Sequence, residues 1–241
     1  MILRILSRRP GFDDAPLPVP VRGQGRAWVL FWLRFAVLRL VLVLLGSVTI
    51  YAFVNPPVTW TMLGAARQHD LVARNWVALD DVAPVVRRSV VAAEDANFCL
   101  HWGFDMVEIR KVVASGSSRG ASTLTQQTAK NAFLWQTRSW GRKAAETLLT
   151  PMIEAMWSKR RILEVYLNVA EFGPGIFGIG AAAREWFGTT PDQLTAVQAA
   201  RLAAVLPAPR TRSPAAASNR SRAIADGAAT IGRDGRAACF D

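Results

Sequence analysis

A run of apolar residues near the start of the chain constrains this sequence more than any other feature. Residues 27–54 read AWVLFWLRFAVLRLVLVLLGSVTIYAFV, and the part from Leu40 to Val54 carries no charge. About 20 apolar residues span the roughly 30 Å hydrocarbon core of a bilayer. Arg34 and Arg39 interrupt only the first half, where long side chains can reach the head groups. We therefore predict a single transmembrane anchor over residues 27–54.

Two other interpretations of this run are weaker. A cleavable signal peptide is shorter and begins nearer to residue 1, and a buried helix of a soluble domain is rarely so long and apolar. Residues 1–39 hold seven arginines against two acids, Asp13 and Asp14. Because basic residues favour the cytoplasmic side, residues 1–26 are predicted to form a basic cytoplasmic tail, with the rest of the chain outside.

The remainder of the chain is predicted to be mainly α-helical. Asn55-Pro56-Pro57 stops the apolar run, and no alternating runs indicate a large sheet. Asp80, Ser122 and Thr190-Pro191 are predicted to open helices. Apolar spacing places helices over about 80–97, 123–134, 140–157, 162–167 and 190–206. Residues 115–120 (SGSSRG) read as a flexible loop. The chain from Pro207 is rich in Pro, Ala, Ser and Arg, and residues 212–241 are predicted to form a weakly ordered tail.

The charge balance indicates an anionic partner. The net charge is +11, from 29 basic against 18 acidic residues, which suits nucleic acid, an anionic membrane or a phosphate-bearing substrate. Two cysteines and two histidines are too few for a disulfide scaffold, a four-cysteine zinc site or an iron–sulfur cluster. We expect no metal held by protein ligands alone.

An acidic pair ends the first helix predicted after the anchor. Residues 94–105 read EDANFCLHWGFD, beginning with Glu94 and Asp95. Glu94 continues an apolar helix face, and burial of a carboxylate raises its pKa toward the range useful for proton transfer. A solvated helix end is the competing interpretation of this segment taken alone.

A polar segment led by glycine follows the predicted loop. Residues 120–131 read GASTLTQQTAKN, with Ser122, Gln126 and Lys130 at i, i+4 and i+8 on one helix face. Free N–H groups at a helix start favour an anion, and Lys130 adds a full positive charge. The segment suits sugar hydroxyls or phosphate, and the alternative is an exposed polar helix.

A third cluster combines cations with a glutamate. Residues 142–146 read RKAAE, and residues 159–168 read KRRILEVYLN. Arg142 and Glu146 are one turn apart, so a simple ion pair worth a few tenths of a kcal/mol is the plain interpretation. Residues 119–161 hold eight basic residues against two acids, and about half of the excess charge therefore lies in these motifs.

Together, and in this order, the clusters resemble the peptidoglycan glycosyltransferase family, glycosyltransferase family 51, and most closely its monofunctional members. The resemblance runs from about Val72 to Pro209 and includes the loop Glu171–Gly178. The family motifs are matched as Glu-Asp-x-x-Phe-x-x-His-x-Gly-x-Asp from Glu94, Gly-x-Ser-Thr-x-Thr-Gln-Gln-x-x-Lys-Asn from Gly120, Arg-Lys-x-x-Glu from Arg142, and Lys-x-x-Ile-Leu-Glu-x-Tyr-Leu-Asn from Lys159.

The resemblance implies a lysozyme-like helical glycosyltransferase domain over residues 55–211, lying in the periplasm and anchored in the bacterial inner membrane. It implies polymerisation of lipid II, an undecaprenyl-pyrophosphate-linked disaccharide pentapeptide, into a β-1,4 glycan with release of undecaprenyl pyrophosphate. The implied partners are lipid II, the growing glycan chain, the membrane and cell-wall synthesis proteins, with no nucleic acid. The absence of Ser-x-x-Lys argues against a transpeptidase module.

The resemblance also assigns roles to residues. It makes Glu94 the general base toward the 4-hydroxyl of the acceptor sugar and Glu146 a second essential acid. Lys130, Arg142 and Lys143 would stabilise the pyrophosphate leaving group, with Mg²⁺ or Mn²⁺ bound along with it and no organic cofactor. The substrate-binding residues are expected to be Asp95, Phe98, His101, Ser122, Thr123, Gln126, Gln127, Lys130, Asn131, Arg142, Lys143, Lys159, Tyr166 and Asn168.

Two other functions compete with this one. A lysozyme-like lytic transglycosylase would cut glycan with an acid catalyst and would need no pyrophosphate-binding cations. A membrane-anchored protein that binds DNA or anionic lipid would explain the charge but not the order of the motifs. The Gly173–Gly178 match to G-x-G-x-x-G follows a helix rather than a strand, which excludes a dinucleotide site. Cys99 is either a lone oxidisable thiol or a partner of Cys239, and the sequence does not decide between them.

Overall fold

The computed structural model describes residues 24–68, 72–116 and 122–241. The predicted cytoplasmic tail up to residue 23, most of the predicted loop at 115–120 and the first two residues of the polar segment at 120–131 lie outside the described residues. The chain divides into two compact units, Met1–Gly46 and Ser47–Asp241.

The first unit holds most of helix α1 (Gln24–Phe53). The large apolar side chains from Trp28 to Val43 are exposed, and the most apolar stretch of the helix is not buried in protein. Within the described residues, α1 is the one helix long and apolar enough to cross a membrane. An unsheltered apolar helix of 30 residues, about 45 Å long, matches a bilayer rather than the core of a soluble domain.

The second unit is mainly helical, as predicted. Its helices are α2 (Trp60–Ala66), α3 (Pro84–Glu94), α4 (Met106–Ser115), α5 (Leu124–Phe133), α6 (Trp140–Met156), α7 (Lys159–Val169), α8 (Ile179–Phe187), α9 (Ala196–Val205) and α10 (Asn219–Arg233). Helix α3 packs against α9 and α10, and α5 packs against α6 and α7. These two packed groups bring the end of α3 and the start of α5 together at the candidate site.

A small sheet packs against α8 and α9. Its strands are β1 (Ala73–Arg74), β2 (Glu171–Gly173) and β3 (Ile176–Phe177), in the order β1-β3-β2. Strand β3 is parallel to β1 and antiparallel to β2. Because β2 and β3 are joined by a tight turn directly after α7, the sheet fixes the carboxyl end of that helix.

Three predicted helix starts are wrong by a few residues. Helix α3 begins at Pro84, at the first helical position, and Asp80 lies instead in a 3-10 turn. Helix α9 begins after Thr195, whose side chain and Gln198 form a reciprocal capping box. In α5 the same box forms at Thr123 rather than at Ser122. In both boxes the paired glutamine decides the start, because it satisfies a second free backbone N–H.

The prediction of a weakly ordered tail over residues 212–241 is wrong. Helix α10 begins in a capping box at Ser218 and buries Ile224, Ala228 and Ile231, which recur at helical spacing. It packs against α3 and α9. The prediction of disorder rests on the high content of Ala, Ser and Arg and overlooks this apolar spacing.

A disulfide closes the end of the chain onto the segment after α3. Cys99 and Cys239 are bonded, with Cα atoms 5.6 Å apart, so the alternative of a lone thiol is wrong. Next to it, Phe240 is fully buried against Phe98, with ring centroids 6.3 Å apart. Arg87 donates a hydrogen bond to the Phe240 carbonyl at 3.1 Å. The last residues of the chain are therefore part of the core.

Candidate active site

Glu94 is the last residue of α3, and its side chain is only 10% exposed. Val86 and Val90 bury the helix face that precedes it, so the carboxylate lies at the edge of the core. Burial raises the pKa of Glu94, while its hydrogen bond from Gln127 and the nearby positive charges act in the opposite direction. The predicted direction of this pKa shift is confirmed.

A short relay of side chains orients the Glu94 carboxylate. The buried Tyr166 hydroxyl donates to Gln127 Oε1 at 3.2 Å, and Gln127 Nε2 donates to Glu94 Oε2 at 2.9 Å. Burial and the negative charge of Glu94 raise the pKa of Tyr166 well above its usual value, so this hydroxyl remains a donor. The relay fixes one carboxylate oxygen and leaves Oε1 without a hydrogen bond.

A cationic group lies on the neighbouring helix α6. Glu146 is buried, and it accepts from Arg142 Nη1 at 3.2 Å and from the Lys143 ammonium. The predicted i,i+4 pair with Arg142 is therefore present, but Glu146 binds a second cation as well. Lys143 also donates to Ser122 Oγ at 3.3 Å, which links α6 to the start of α5. One buried acid thus orients two cations.

Lys130 adds a third cation to this group. It lies one turn beyond Gln127 on α5, and burial lowers its pKa while the charge of Glu146 favours its protonated form. Among the described residues, no carboxylate lies within ion-pair distance of the Lys130 ammonium. Its charge is therefore available to a bound anion.

Two open cavities flank the contact between Glu94 and Gln127. One has a volume of about 370 Å³ and is lined by Gln127, Lys130 and Tyr166, among others. The other has a volume of about 360 Å³ and is lined by Glu94 and Ser122, among others. A carboxylate of raised pKa thus faces one cavity, and a cation faces the other. This arrangement suits proton removal on one side and stabilisation of an anion on the other.

Residues 62–229 match the family model described as Transglycosylase. The chain belongs to the transglycosylase family. The match covers the candidate site and extends into α10. The resemblance found in the sequence is therefore confirmed, and this transglycosylase is an enzyme that transfers glycosyl groups.

Curated relatives agree with the family model. Proteins named "Biosynthetic peptidoglycan transglycosylase" are 53% identical over 213 residues in Jannaschia sp. (strain CCS1), covering 87% of this chain and 89% of the relative, and 48% identical over 210 residues in Rhodospirillum centenum, covering 83% and 91%. A protein of the same name from Pectobacterium atrosepticum is 44% identical over 204 residues, covering 78% of this chain and 83% of the relative.

Several residues expected to bind substrate in this transglycosylase form hydrogen bonds with other groups of the protein. Asp95 is buried, and its carboxylate accepts from His101 Nε2 at 2.8 Å and from the Leu124 backbone N–H at 2.9 Å. Thr123 donates to the Gly103 carbonyl at 2.6 Å. Through these bonds the first motif fixes the start of α5. Phe98, Gln126 and Asn131 are likewise buried.

Lys159 and Asn168 also stabilise the fold around the site. Lys159 Nζ donates to the His101 carbonyl at 2.8 Å and to Glu154 at 2.9 Å. The buried Asn168 side chain binds both the N–H and the carbonyl of Val77, each at 2.8 Å. The structure thus places Glu94, Asp95 and Thr123 along one cavity and Gln127, Lys130 and Asn131 along the other, with the Glu146 cluster on the neighbouring helix α6.

Two acidic groups near the site, Glu146 and the grouping of Asp95, His101 and Asp105, do not fit a divalent cation held by the protein. Both oxygens of Glu146 are bonded to cations. The grouping of Asp95, His101 and Asp105 has its carboxylate oxygens engaged by His101, by backbone N–H groups and by the Asn97 side chain. Hard cations need free oxygen ligands. A metal ion carried by the substrate pyrophosphate stays a prediction.

The sequence interpretation missed the basic residues that follow α9. Arg212 and Arg220 both act on the charge of Glu94, and Arg210 lines the larger cavity, where it contacts Glu171 at 3.2 Å. These residues lie within or next to the segment that was predicted to be weakly ordered. The capping box at the start of α10 was a signal for a helix there, but it does not show that the helix lies beside the site.

Proposed function

We propose that this enzyme polymerises lipid II into β-1,4 glycan strands and releases undecaprenyl pyrophosphate. The observation that carries the proposal is the placement of the Glu94 carboxylate beside Gln127, with Lys130 one helical turn beyond and the Glu146 cluster next to it. A base with a group of cations on neighbouring helices suits attack by a hydroxyl on a carbon that bears a phosphate leaving group.

Glu94 acts as the general base. Its carboxylate takes the proton of the acceptor 4-hydroxyl while that oxygen bonds to the anomeric carbon of the lipid-linked chain. The raised pKa of Glu94 brings its basicity closer to neutral pH, which favours proton transfer. Gln127 keeps Oε2 in place.

The cations act on the leaving group. As the bond between the anomeric carbon and the phosphate oxygen breaks, negative charge collects on the pyrophosphate. Lys130, Arg142 and Lys143 stabilise this charge, and Glu146 orients the last two. Removing one such electrostatic contact costs about 10²–10³ in rate in well-studied enzymes.

The catalytic unit is proposed to lie in the periplasm, with α1 in the inner membrane and the N-terminus in the cytoplasm. The basic residues before and within α1 support this orientation. The bond between Cys99 and Cys239 supports it independently, because disulfides persist in the periplasm and are rare in the cytosol. No transpeptidase activity is proposed, and cell-wall synthesis proteins are its expected partners.

The test is polymerisation of fluorescent lipid II by the purified full-length protein in detergent, with products separated by size. Wild type should give long glycan, and Glu94→Gln should give none while it still binds lipid II. Glu185→Gln, an exposed carboxylate on α8, is the matched control and should keep full activity. An active Glu94→Gln variant would remove Glu94 as the base.

A second assay separates polymerisation from cleavage. A lytic transglycosylase would release soluble muropeptides from isolated sacculi, whereas the proposed enzyme should release none. Muropeptide release by wild type without any glycan synthesis would overturn the proposal. A chelator titration in the polymerisation assay tests whether a metal ion bound with the pyrophosphate is needed.

A further inference from the structure

The two oxygens of the Glu94 carboxylate have different surroundings. Oε2 accepts the hydrogen bond from Gln127, whereas Oε1 is buried without any hydrogen bond. Arg220 is the cation nearest to Oε1, with Nη2 at 3.6 Å. This distance allows an ion pair but exceeds a hydrogen bond, so Oε1 keeps its lone pairs free to accept a proton.

Arg220 is placed there by its own contacts with α3. Its Nη2 donates to the Ala93 carbonyl at 3.4 Å, and that carbonyl belongs to the residue just before Glu94. The guanidinium therefore binds the end of α3 at both the backbone and the carboxylate. Its side chain is 41% exposed, so the charge is reachable by solvent and partly screened.

Close helix packing supports this placement. At Gly227 of α10 an added Cβ would lie 3.3 Å from the Cβ of Ala92, so the two helices approach closely about two turns beyond Arg220. Beyond the end of α10, the bond between Cys99 and Cys239 joins the last residues of the chain to those that follow α3. Helix α10 and the residues that follow it are thus held close to α3 and to the segment after it.

We infer that Arg220 is a positioning residue for the base: it orients the Glu94 carboxylate through Oε1 and favours its ionised form. This inference rests on the proposed function. The other charged groups that face Glu94 are Lys130 from α5 and Arg212 after α9, and the Tyr166 hydroxyl faces it from α7. Of the three cations, Arg220 is the one in ion-pair contact.

The charge of Arg220 opposes the effect of burial on Glu94. Burial raises the pKa of this carboxyl group, and Arg220 lowers it. Without the guanidinium, the pKa of Glu94 should rise further, and the base should remain protonated at a higher pH. The acidic limb of the rate profile should therefore move toward neutral pH.

The experiment compares the pH dependence of lipid II polymerisation between pH 5 and 9 for full-length wild type, Arg220→Gln and Arg220→Lys. Arg222→Gln is the matched control, because Arg222 lies on the same helix, is exposed and contacts Asn219 instead. A shift of about one pH unit in the acidic limb corresponds to about a tenfold lower rate below it. We expect this shift for Arg220→Gln, a smaller one for Arg220→Lys and none for Arg222→Gln.

The outcomes are distinct. If the Arg220→Gln and wild-type profiles coincide in shape, or if activity falls equally at every pH, the positioning role is wrong while the proposed function stands. If wild type makes no glycan, the proposed function fails first. Should Arg220→Gln melt at a much lower temperature, Arg220→Met, which keeps an unbranched apolar side chain without the charge, carries the same comparison.

Discussion

Replacing both cysteines by serine should lower the melting temperature without stopping catalysis. The disulfide between Cys99 and Cys239 closes a loop across 140 residues. In the folded protein the end of the chain has other contacts: Phe240 is fully buried, and Arg87 and Arg160 donate to its carbonyl at 3.1 and 2.9 Å. The folded state should therefore persist, and the main loss should come from greater freedom of the unfolded chain.

The size of this effect follows from the length of the loop. For a loop of this size, chain entropy predicts about 5 kcal/mol of stabilisation at 25 °C. In a folded unit of roughly 200 residues, 1 kcal/mol shifts the melting temperature by about 2–4 °C. The double variant Cys99→Ser/Cys239→Ser should therefore melt about 10–20 °C lower than wild type.

Thermal melting of the full-length protein in detergent tests this prediction, with polymerisation measured in parallel at 25 °C. A reductant should lower the melting temperature of wild type and leave that of the double variant unchanged, which serves as the control. A shift under about 3 °C, or loss of activity at 25 °C with an unchanged melting temperature, would refute the reasoning.

Three further predictions concern single residues. Lys130→Met should lower the polymerisation rate about 10²–10³-fold. The control Lys111→Met changes an exposed surface lysine and should leave the rate unchanged. Equal rates for Lys130→Met and wild type would exclude contact of Lys130 with the leaving group. The pKa of Glu94 is raised in the folded protein, so ionisation of this group lowers the stability of wild type as the pH rises above the unfolded pKa. Glu94→Gln does not ionise, and its melting temperature should therefore rise relative to that of wild type between pH 4.5 and 8. A relative fall measured by calorimetry would contradict this sign. Asn168→Ala leaves the Val77 N–H and carbonyl without partners and should cost about 3 kcal/mol in chemical unfolding; a cost below about 1 kcal/mol would show that water replaces these bonds.

The helices around the site were predictable because their apolar residues recur at helical spacing. The stripe that ends at Glu94 identified α3, and burial at its end gave the direction of the pKa shift. The starts of α3 and α9 were misplaced because several polar residues compete as caps. The structure resolves this through Thr195 and Gln198, whose reciprocal bonds satisfy two backbone N–H groups.

The division of the motif residues between substrate and scaffold was not predictable from sequence. Asp95, His101 and Thr123 are as polar as Glu94 and Gln127, and spacing alone does not show whether a polar side chain faces a cavity or a backbone group. In the fold, Asp95 binds the N–H of Leu124, which is a long-range contact across 29 residues. Only the folded structure shows this bond, and Asp95 also lines the same cavity as Glu94.

The basic residues of the motifs also divide into those near the site and those that stabilise the fold. Arg142 and Lys143 bind Glu146, and Lys130, which lines one of the cavities, lies within the electrostatic reach of the same carboxylate. Lys159 is instead bound to Glu154, and Arg161 donates to the carbonyls of Tyr51 at 3.0 Å and Val54 at 2.9 Å at the carboxyl end of α1.

The charge of Arg161 stabilises free carbonyls at a helix end, and the charge of Lys159 is neutralised by Glu154. Both therefore contribute little to the binding of an anion at the site. The sequence total of basic residues therefore overstates the charge available to the pyrophosphate. Neutralising Arg161 should affect stability before it affects the rate, whereas neutralising Lys130 should do the reverse.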